Sequence, residues 1–245
     1  MRYKVTLQYD GSLYHGWQIQ PNANTVQKEV LRALAIINKK PVDIHASGRT
    51  DTHVHALNQV FHFDSDLDLE SDIWTRALNG QLPDDIRIKS VKKVEDDFHA
   101  RYGATSKTYH YKLNMGDYDV FDARYVYQYN EPLDINKLKE AAQIFVGVHD
   151  FTSFNATPND VVLDQKREIF TFEVDLDKDI ITFKIEGSGF LRHMVRMLVA
   201  SCIWVTTGRI SLKTLSDALE NPDKEKIKAN VPGCGLYLIN VNYDS

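Results

Sequence analysis

One order of hydrophobic patterns, met twice along the chain, restricts the possible folds more than any single motif. Tyr3, Val5, Leu7 and Tyr9 alternate with polar residues, the period of a half-buried strand. Thr25 then stands as the N-cap of a helix whose apolar stripe is Val26, Val30, Ala33, Leu34 and Ile37. Strand patterns follow at 42–46 and 57–63, a helix at 69–78, and a strand at 86–94 after Pro83. That order is βαββαβ. The second run opens with a strand at 108–113 and, after an acidic, tyrosine-rich connection, continues with a helix at 135–146. Alternating segments at 169–176 and 180–185 flank Asp177-Lys178-Asp179 and read as a hairpin. A longer helix at 190–205, a shorter one at 212–219 that stops before Pro222, and a strand at 236–241 complete the same order. Two ferredoxin-like halves, 1–104 and 105–245, therefore predict an α+β protein with one extended, mostly antiparallel sheet and its helices on one face.

With 245 residues, 43% of them hydrophobic and 26% charged, the chain can bury one extended core or two small ones. The first residues alternate instead of forming an apolar signal, and no apolar run reaches spanning length, so the expectation is a soluble, cytoplasmic protein with no membrane contact. Cys202 and Cys234 stand in no metal-ligand spacing and are expected to be reduced and structural. A formal charge of −5 argues mildly against a nucleic-acid partner, because phosphate binding needs cations. Distribution matters more than the sum. From His99 to Lys112 there is no acidic residue, and Arg101, Lys107 and Lys112 interleave with Tyr102, Tyr109 and Tyr111. Such a segment suits a backbone-tracking groove with stacking platforms. The plainer reading is a strand whose tyrosines pack and whose lysines face solvent.

The most informative chemistry lies between two strand patterns, in Ser47-Gly48-Arg49-Thr50-Asp51-Thr52-His53-Val54-His55-Ala56. A carboxylate beside a guanidinium is held in its anionic form, and an Asp so placed can act as nucleophile or base without a metal. An Asx-turn with a structural Arg49–Asp51 ion pair would account for the same residues. Farther on, Arg192 and Arg196 are spaced i and i+4 on the long helical pattern, which puts both guanidinium groups on one side. His53 and His55, with Asp51, His45 and His62 nearby in sequence, could suggest zinc or iron, but the rest of a ligand pattern is missing.

Gly48-Arg49-Thr50-Asp51 followed by Val54-His55-Ala56 resembles the signature of the tRNA pseudouridine synthases of the TruA type. Matching strings run in order along the chain: Tyr9-Asp10-Gly11-Ser12 with Tyr14, Gly16-Trp17-Gln18 and Gln20; Asp97-Phe98-His99-Ala100-Arg101; Lys107-Thr108-Tyr109-His110-Tyr111; Asp150-Phe151-Thr152-Ser153-Phe154; Gly189-Phe190-Leu191-Arg192-His193-Met194-Val195-Arg196; and Gly235-Leu236-Tyr237-Leu238. The resemblance implies two related halves with an active cleft between them, on the sheet face away from the helices. It implies isomerisation of uridine to pseudouridine in tRNA, without a cofactor or metal. Asp51 is then the catalytic carboxylate, helped by Arg49 and by Tyr109, which would stack on the uracil. Arg196, Arg192, Lys107, Arg101 and Leu236 would bind substrate. The implied partners are the anticodon stem-loop of tRNA, modified at positions 38, 39 and 40, and a second copy of the chain in a homodimer.

Thr52 and His53 depart from that signature, which has a small residue and then glycine. If the glycine position takes a positive φ, histidine carries a steric cost there, although it tolerates the conformation better than most residues. Three other readings stand beside the enzyme: a non-catalytic RNA-binding protein on the same sheet, a metal-dependent hydrolase built on the histidines, and a relative with a shifted RNA target.

Overall fold

Alternation in the first strand seeds the first half of the molecule. β1 (Arg2–Tyr9) buries Tyr3, Val5, Leu7 and Tyr9 and leaves Arg2, Lys4 and Thr6 partly exposed, as the two-residue period of an extended chain requires. In the computed structural model, which describes residues 1–158 and 160–244, β1 lies between β3 (His55–Asp64) and β4 (Ile86–Val94), antiparallel to both. β2 (Ile44–Ala46) pairs with the far end of β3. α1 (Val26–Asn38) and α2 (Ser71–Asn79) supply the crossovers, so the observed order is the expected βαββαβ. Val26, Val30, Ala33 and Leu34 are buried along α1 and Ile37 only partly. Thr25 occupies the N-cap position, but its Oγ1 makes no capping bond and is buried without a partner.

The core under this sheet is aromatic. Trp74 on α2 is fully buried, 5.4 Å from the Tyr3 ring and edge-on to Phe63 at 5.2 Å, while Tyr3 stacks on Phe63. Such pairs add to the area they remove from water. β10 (Leu236–Tyr243), the last strand, runs parallel to β3 through Tyr237↔His55 and Leu238↔Ala56. Met1–Thr105 and the chain from Tyr237 onward accordingly form one compact unit, and Ser106–Leu236 form the other.

In the second unit, the bulk of β5 (Ala104–Asn114) pairs with β9 (Ile180–Gly187), β9 with β8 (Lys166–Asp177), and β8 with β7 (Gly147–Asp150), all antiparallel. The expected hairpin between β8 and β9 is present, with Lys178 at φ 52 in its turn. α3 (Ile135–Gln143) packs on β8 and on α4 (Met194–Thr206). Asp134 caps α3 by accepting from the Asn136 and Lys137 N–H groups. Ser211 and Thr214 form a reciprocal capping box at the start of α5 (Leu212–Glu220). Two short strands, β6 (Tyr127–Gln128) and β7, carry too little alternation to be read from sequence. The described residues hold ten strands in mostly antiparallel ladders and five α-helices, the α+β content that the patterns implied. Among the described residues no helix is long and apolar enough to cross a membrane.

One expectation needs correction. α4 begins at Met194, four residues later than the apolar pattern suggested, so Arg192 is not on the helix and does not stack on Arg196. His193, at φ 60 and ψ 0, is left-handed and stops the helix from extending backwards. The Arg192 N–H donates to Thr157 Oγ1 and its carbonyl accepts from the Ala156 N–H, which ties it to a neighbouring loop instead.

Truncating Trp74 to Ala should cost about 3–5 kcal/mol, the range for emptying a large aromatic site. Trp74→Phe, which keeps a ring against Tyr3 and Phe63 and removes an indole N–H that has no partner, should cost less than half as much. Urea unfolding of the full chain measures both.

Candidate active site

The backbone of the loop carrying Asp51 is tied to the segment before α1 by main-chain hydrogen bonds. Trp17 N–H donates to the Thr50 carbonyl (3.0 Å) and His53 N–H to the Tyr14 carbonyl (3.1 Å), while Val54 N–H closes the turn on the Asp51 carbonyl (3.2 Å). The segment from Asp10 to Trp17 therefore lies directly against residues 50–54. Two glycines make that approach possible. A Cβ on Gly11 would sit 2.0 Å from the Val54 carbonyl oxygen, and one on Gly16, whose φ is 88°, would sit 2.5 Å from that of Thr50. Both obstacles are backbone and cannot swing aside. The N-terminal block and the Asp loop, some forty residues apart in sequence, are thus two halves of one scaffold.

Side chains lock the same loop from below. The Tyr9 hydroxyl and Thr50 Oγ1 lie 2.8 Å apart in the interior, and burial pushes the Tyr9 phenol up, so it stays neutral. Ser47 Oγ donates to Gln59 Oε1 (2.7 Å), and Gln59 Nε2 donates to the Gly48 carbonyl (3.1 Å). Gln59 is fully buried on β3, and these bonds satisfy it. Gly11 N–H donates to His55 Nδ1 (3.1 Å), which therefore offers its lone pair there. The 3.2 Å approach of Asp10 Oδ1 to the same nitrogen is then not a hydrogen bond from the imidazole. Asp10 Oδ1 instead accepts from the Ser12 N–H and hydroxyl. His55 is buried, with its ring stacked 4.7 Å from Tyr237.

Asp51 emerges from this framework half-buried, between buried Thr50 and exposed Thr52. Arg49 is exposed and makes no ion pair or hydrogen bond with any described residue, so the Arg49–Asp51 pair anticipated from their spacing is not made. A solvated guanidinium loses nothing by remaining in water, whereas the loop backbone is already committed to Trp17, Tyr14 and Gln59. His53 does adopt the positive φ that its position in the signature raised, at 63°, a conformation that costs a non-glycine residue about 1–2 kcal/mol. Its Nδ1 lies 2.9 Å from the Ser12 carbonyl, which offsets part of that cost. Arg101 is exposed in the same unit, with its guanidinium 5.8 Å from the exposed Tyr102 ring.

The second unit carries the remaining anticipated residues. Lys107, Tyr109 and Tyr111 share one face of β5 by the period of two. Tyr109 is 8% exposed and meets Phe190 edge-on at 5.1 Å. Tyr111 is fully buried, donates to the Pro232 carbonyl (2.9 Å) and belongs to the core, so the tyrosines do not form one continuous platform. Arg196, in the first turn of α4, is half-buried and donates from Nε to the Val231 carbonyl (2.7 Å). Arg192 is exposed, Lys107 half-buried, and Leu236 buried at the start of β10 beside Gly235, where a Cβ would sit 2.5 Å from the Lys112 carbonyl oxygen. Neither cysteine is in a disulfide; Cys202 is buried and Cys234 partly so.

The histidines fall into separate places. His53 and His55 belong to the Asp loop, whereas His45, His62 and His99 lie together at the opposite end of β3, with His45 stacked on His62 and His99 tilted or edge-on to both, ring centres 4.7–5.5 Å apart. Among the described residues no group of three or more His, Cys, Asp or Glu side chains is arranged to hold a metal ion. His62 is 2% exposed and accepts from the Ala100 N–H at Nδ1. Burial, with Arg2, His99 and His45 nearby, lowers its pKa to about 4.

Residues 6–103 and 141–244 match the family model described as tRNA pseudouridine synthase. The chain is 44% identical over 246 residues to a Bacillus cereus protein named tRNA pseudouridine synthase A 1, covering 100% of this chain and 99% of that one. A Geobacillus protein named tRNA pseudouridine synthase A is 43% identical over 246 residues, with 100% and 99% covered. The Bacillus subtilis protein of the same name is 41% identical over 248 residues, with both chains covered completely.

Two outcomes follow from this packing. Gly11→Ala should destabilise the fold by about 3 kcal/mol, the upper range for overpacking, because the backbone of Val54 blocks the added methyl; thermal melting reads the loss. His62 binds its proton less readily folded than unfolded, so its contribution is complete above about pH 6.5 and is lost as pH falls toward 4. The decline should be on the order of 3 kcal/mol across that window. Unfolding free energies from pH 7 to 4.5 should show it, and His62→Asn, which keeps an acceptor for Ala100, should flatten the slope.

Proposed function

This chain belongs to the tRNA pseudouridine synthase family, of the TruA type, and on that footing we propose that it turns uridine into pseudouridine in tRNA with Asp51 as the reacting carboxylate. The observation that carries the assignment is the loop itself. Asp51 is the acidic member of the Gly48-Arg49-Thr50-Asp51 string, is neither sealed in the core nor fully solvated, and rests on a backbone fixed at Thr50, His53 and Val54. A preorganised carboxylate of this kind needs no rearrangement before it acts.

The isomerisation breaks the bond from N1 of the base to C1′ of the ribose, turns the uracil and joins C5 to C1′. Neither oxidation state nor water content changes, so the protein must supply extrusion of the nucleotide, retention of the freed base and stabilisation of an electron-poor sugar carbon. Asp51 serves as nucleophile or base at that sugar and base. Arg49, solvated in the free protein, takes the space left by the extruded uridine. Tyr109 stacks on the uracil, an interaction of about 1–3 kcal/mol, and its hydroxyl takes part in proton movement at C5. Arg196, Arg192, Lys107 and Arg101 bind the RNA backbone, and Leu236 adds an apolar contact. The target is the anticodon stem-loop at positions 38, 39 and 40, bound by a homodimer.

Asp51→Asn should lower turnover by about a thousandfold or more, within the range of lost acid–base or nucleophilic catalysis, while tRNA affinity changes little. Tyr109→Phe should keep affinity and lose turnover. Pseudouridine mapping of tRNA treated with each protein, beside filter binding of the same tRNA, reads both; unchanged turnover in Asp51→Asn would remove the assignment.

A further inference from the structure

His53 is the residue of the Asp loop that the chemistry above leaves without a task. It lies two positions after Asp51, so their Cα atoms are at most about 7 Å apart. It is exposed, as are Arg49 and Thr52. Its backbone is left-handed at φ 63°, where glycine would be free of strain and where an observed outlier points toward a functional constraint. The ring is also fixed. Nδ1 is 2.9 Å from the Ser12 carbonyl, and the backbone N–H donates to the Tyr14 carbonyl. A carbonyl oxygen only accepts, so Nδ1 carries the proton in that bond, and Nε2 is the nitrogen left for a ligand. A phosphate accepts only, so a contact there uses an Nε2 that also carries a proton, and the ring keeps its anchor on Ser12 while offering a charge-assisted donor.

We propose that His53 contacts a phosphate of the RNA substrate beside the extruded uridine, a cationic contact supplied by the very loop that carries Asp51. The chain has a net charge of −5 and so must bind RNA through local cations. A histidine held against Ser12 supplies one where the Asp loop itself meets the backbone. This rests on the reading of Asp51 given above, but its binding test does not depend on turnover.

The test compares full-length parent, His53→Gly, His53→Asn and His53→Lys with one unmodified tRNA transcript. Glycine and asparagine both accept a left-handed backbone. Lysine is accommodated there as well, since Lys39 and Lys178 adopt φ 55° and 52° in this chain. The Gly and Asn variants should raise KM about fivefold, with the loss in KM and not in kcat. The slope of log binding constant against log salt should become shallower by about one, the signature of one lost phosphate contact. His53→Lys should restore both. If His53→Gly keeps the parent KM and salt slope, or if kcat falls with the slope unchanged, the phosphate contact is wrong and the histidine only braces the loop. A parent that binds with the expected slope but makes no pseudouridine would instead overturn the reading of Asp51.

Discussion

Everything at the candidate site depends on one close approach, the backbone of residues 10–17 against the backbone of residues 50–54. Three main-chain hydrogen bonds fix Thr50, His53 and Val54, and the absence of a side chain at Gly11 and Gly16 is what lets the two segments come so near. The position of Asp51 is therefore set by the main chain on either side of it, at Thr50, His53 and Val54. The Tyr9–Thr50 and Ser47–Gln59–Gly48 contacts then stiffen the loop from the side of the sheet.

This division of labour explains why two short strings far apart in the chain carry the family resemblance together. Tyr9-Asp10-Gly11-Ser12 contains no obvious catalytic group, and Gly16-Trp17 looks like a simple turn. Their meaning is steric and lies in what they touch. Asp10 orders Ser12, Ser12 anchors His53, Gly11 reaches both Val54 and His55, and Trp17 closes on Thr50.

Much of the architecture was legible because it rests on local periodicity. Tyr3, Val5, Leu7 and Tyr9 declared β1, and the alternation at 86–94 gave β4 (Ile86–Val94) with its observed bounds. Where tertiary contacts override the local pattern, the sequence misled. Phe190 and Leu191 continue an apolar helical rhythm, but Thr157 and Ala156 bind the backbone of Arg192, and His193 turns left-handed ahead of α4. Tyr111 reads like Tyr109 in sequence, yet one is bonded to Pro232 inside the core and the other keeps a small exposed edge. Arg49 and Asp51 look like an ion pair from their spacing, and nothing in that spacing shows that the guanidinium remains in water. At the candidate site, the loop string was legible and the way it is supported was not, since no local rule connects Gly11 to Val54.

The parallel pairing of β10 with β3 gives this scaffold an unusual order of assembly. His55, immediately after the Asp loop, stacks on Tyr237, and Ala56 pairs with Leu238, contacts that join β3 to a segment synthesised much later. During synthesis on the ribosome, the start of β3 at His55 and Ala56 must wait without this neighbour until Tyr237 and Leu238 have emerged. A nascent chain stalled before Tyr237 would thus hold the Asp51 loop beside an open strand edge, vulnerable to pairing with other chains.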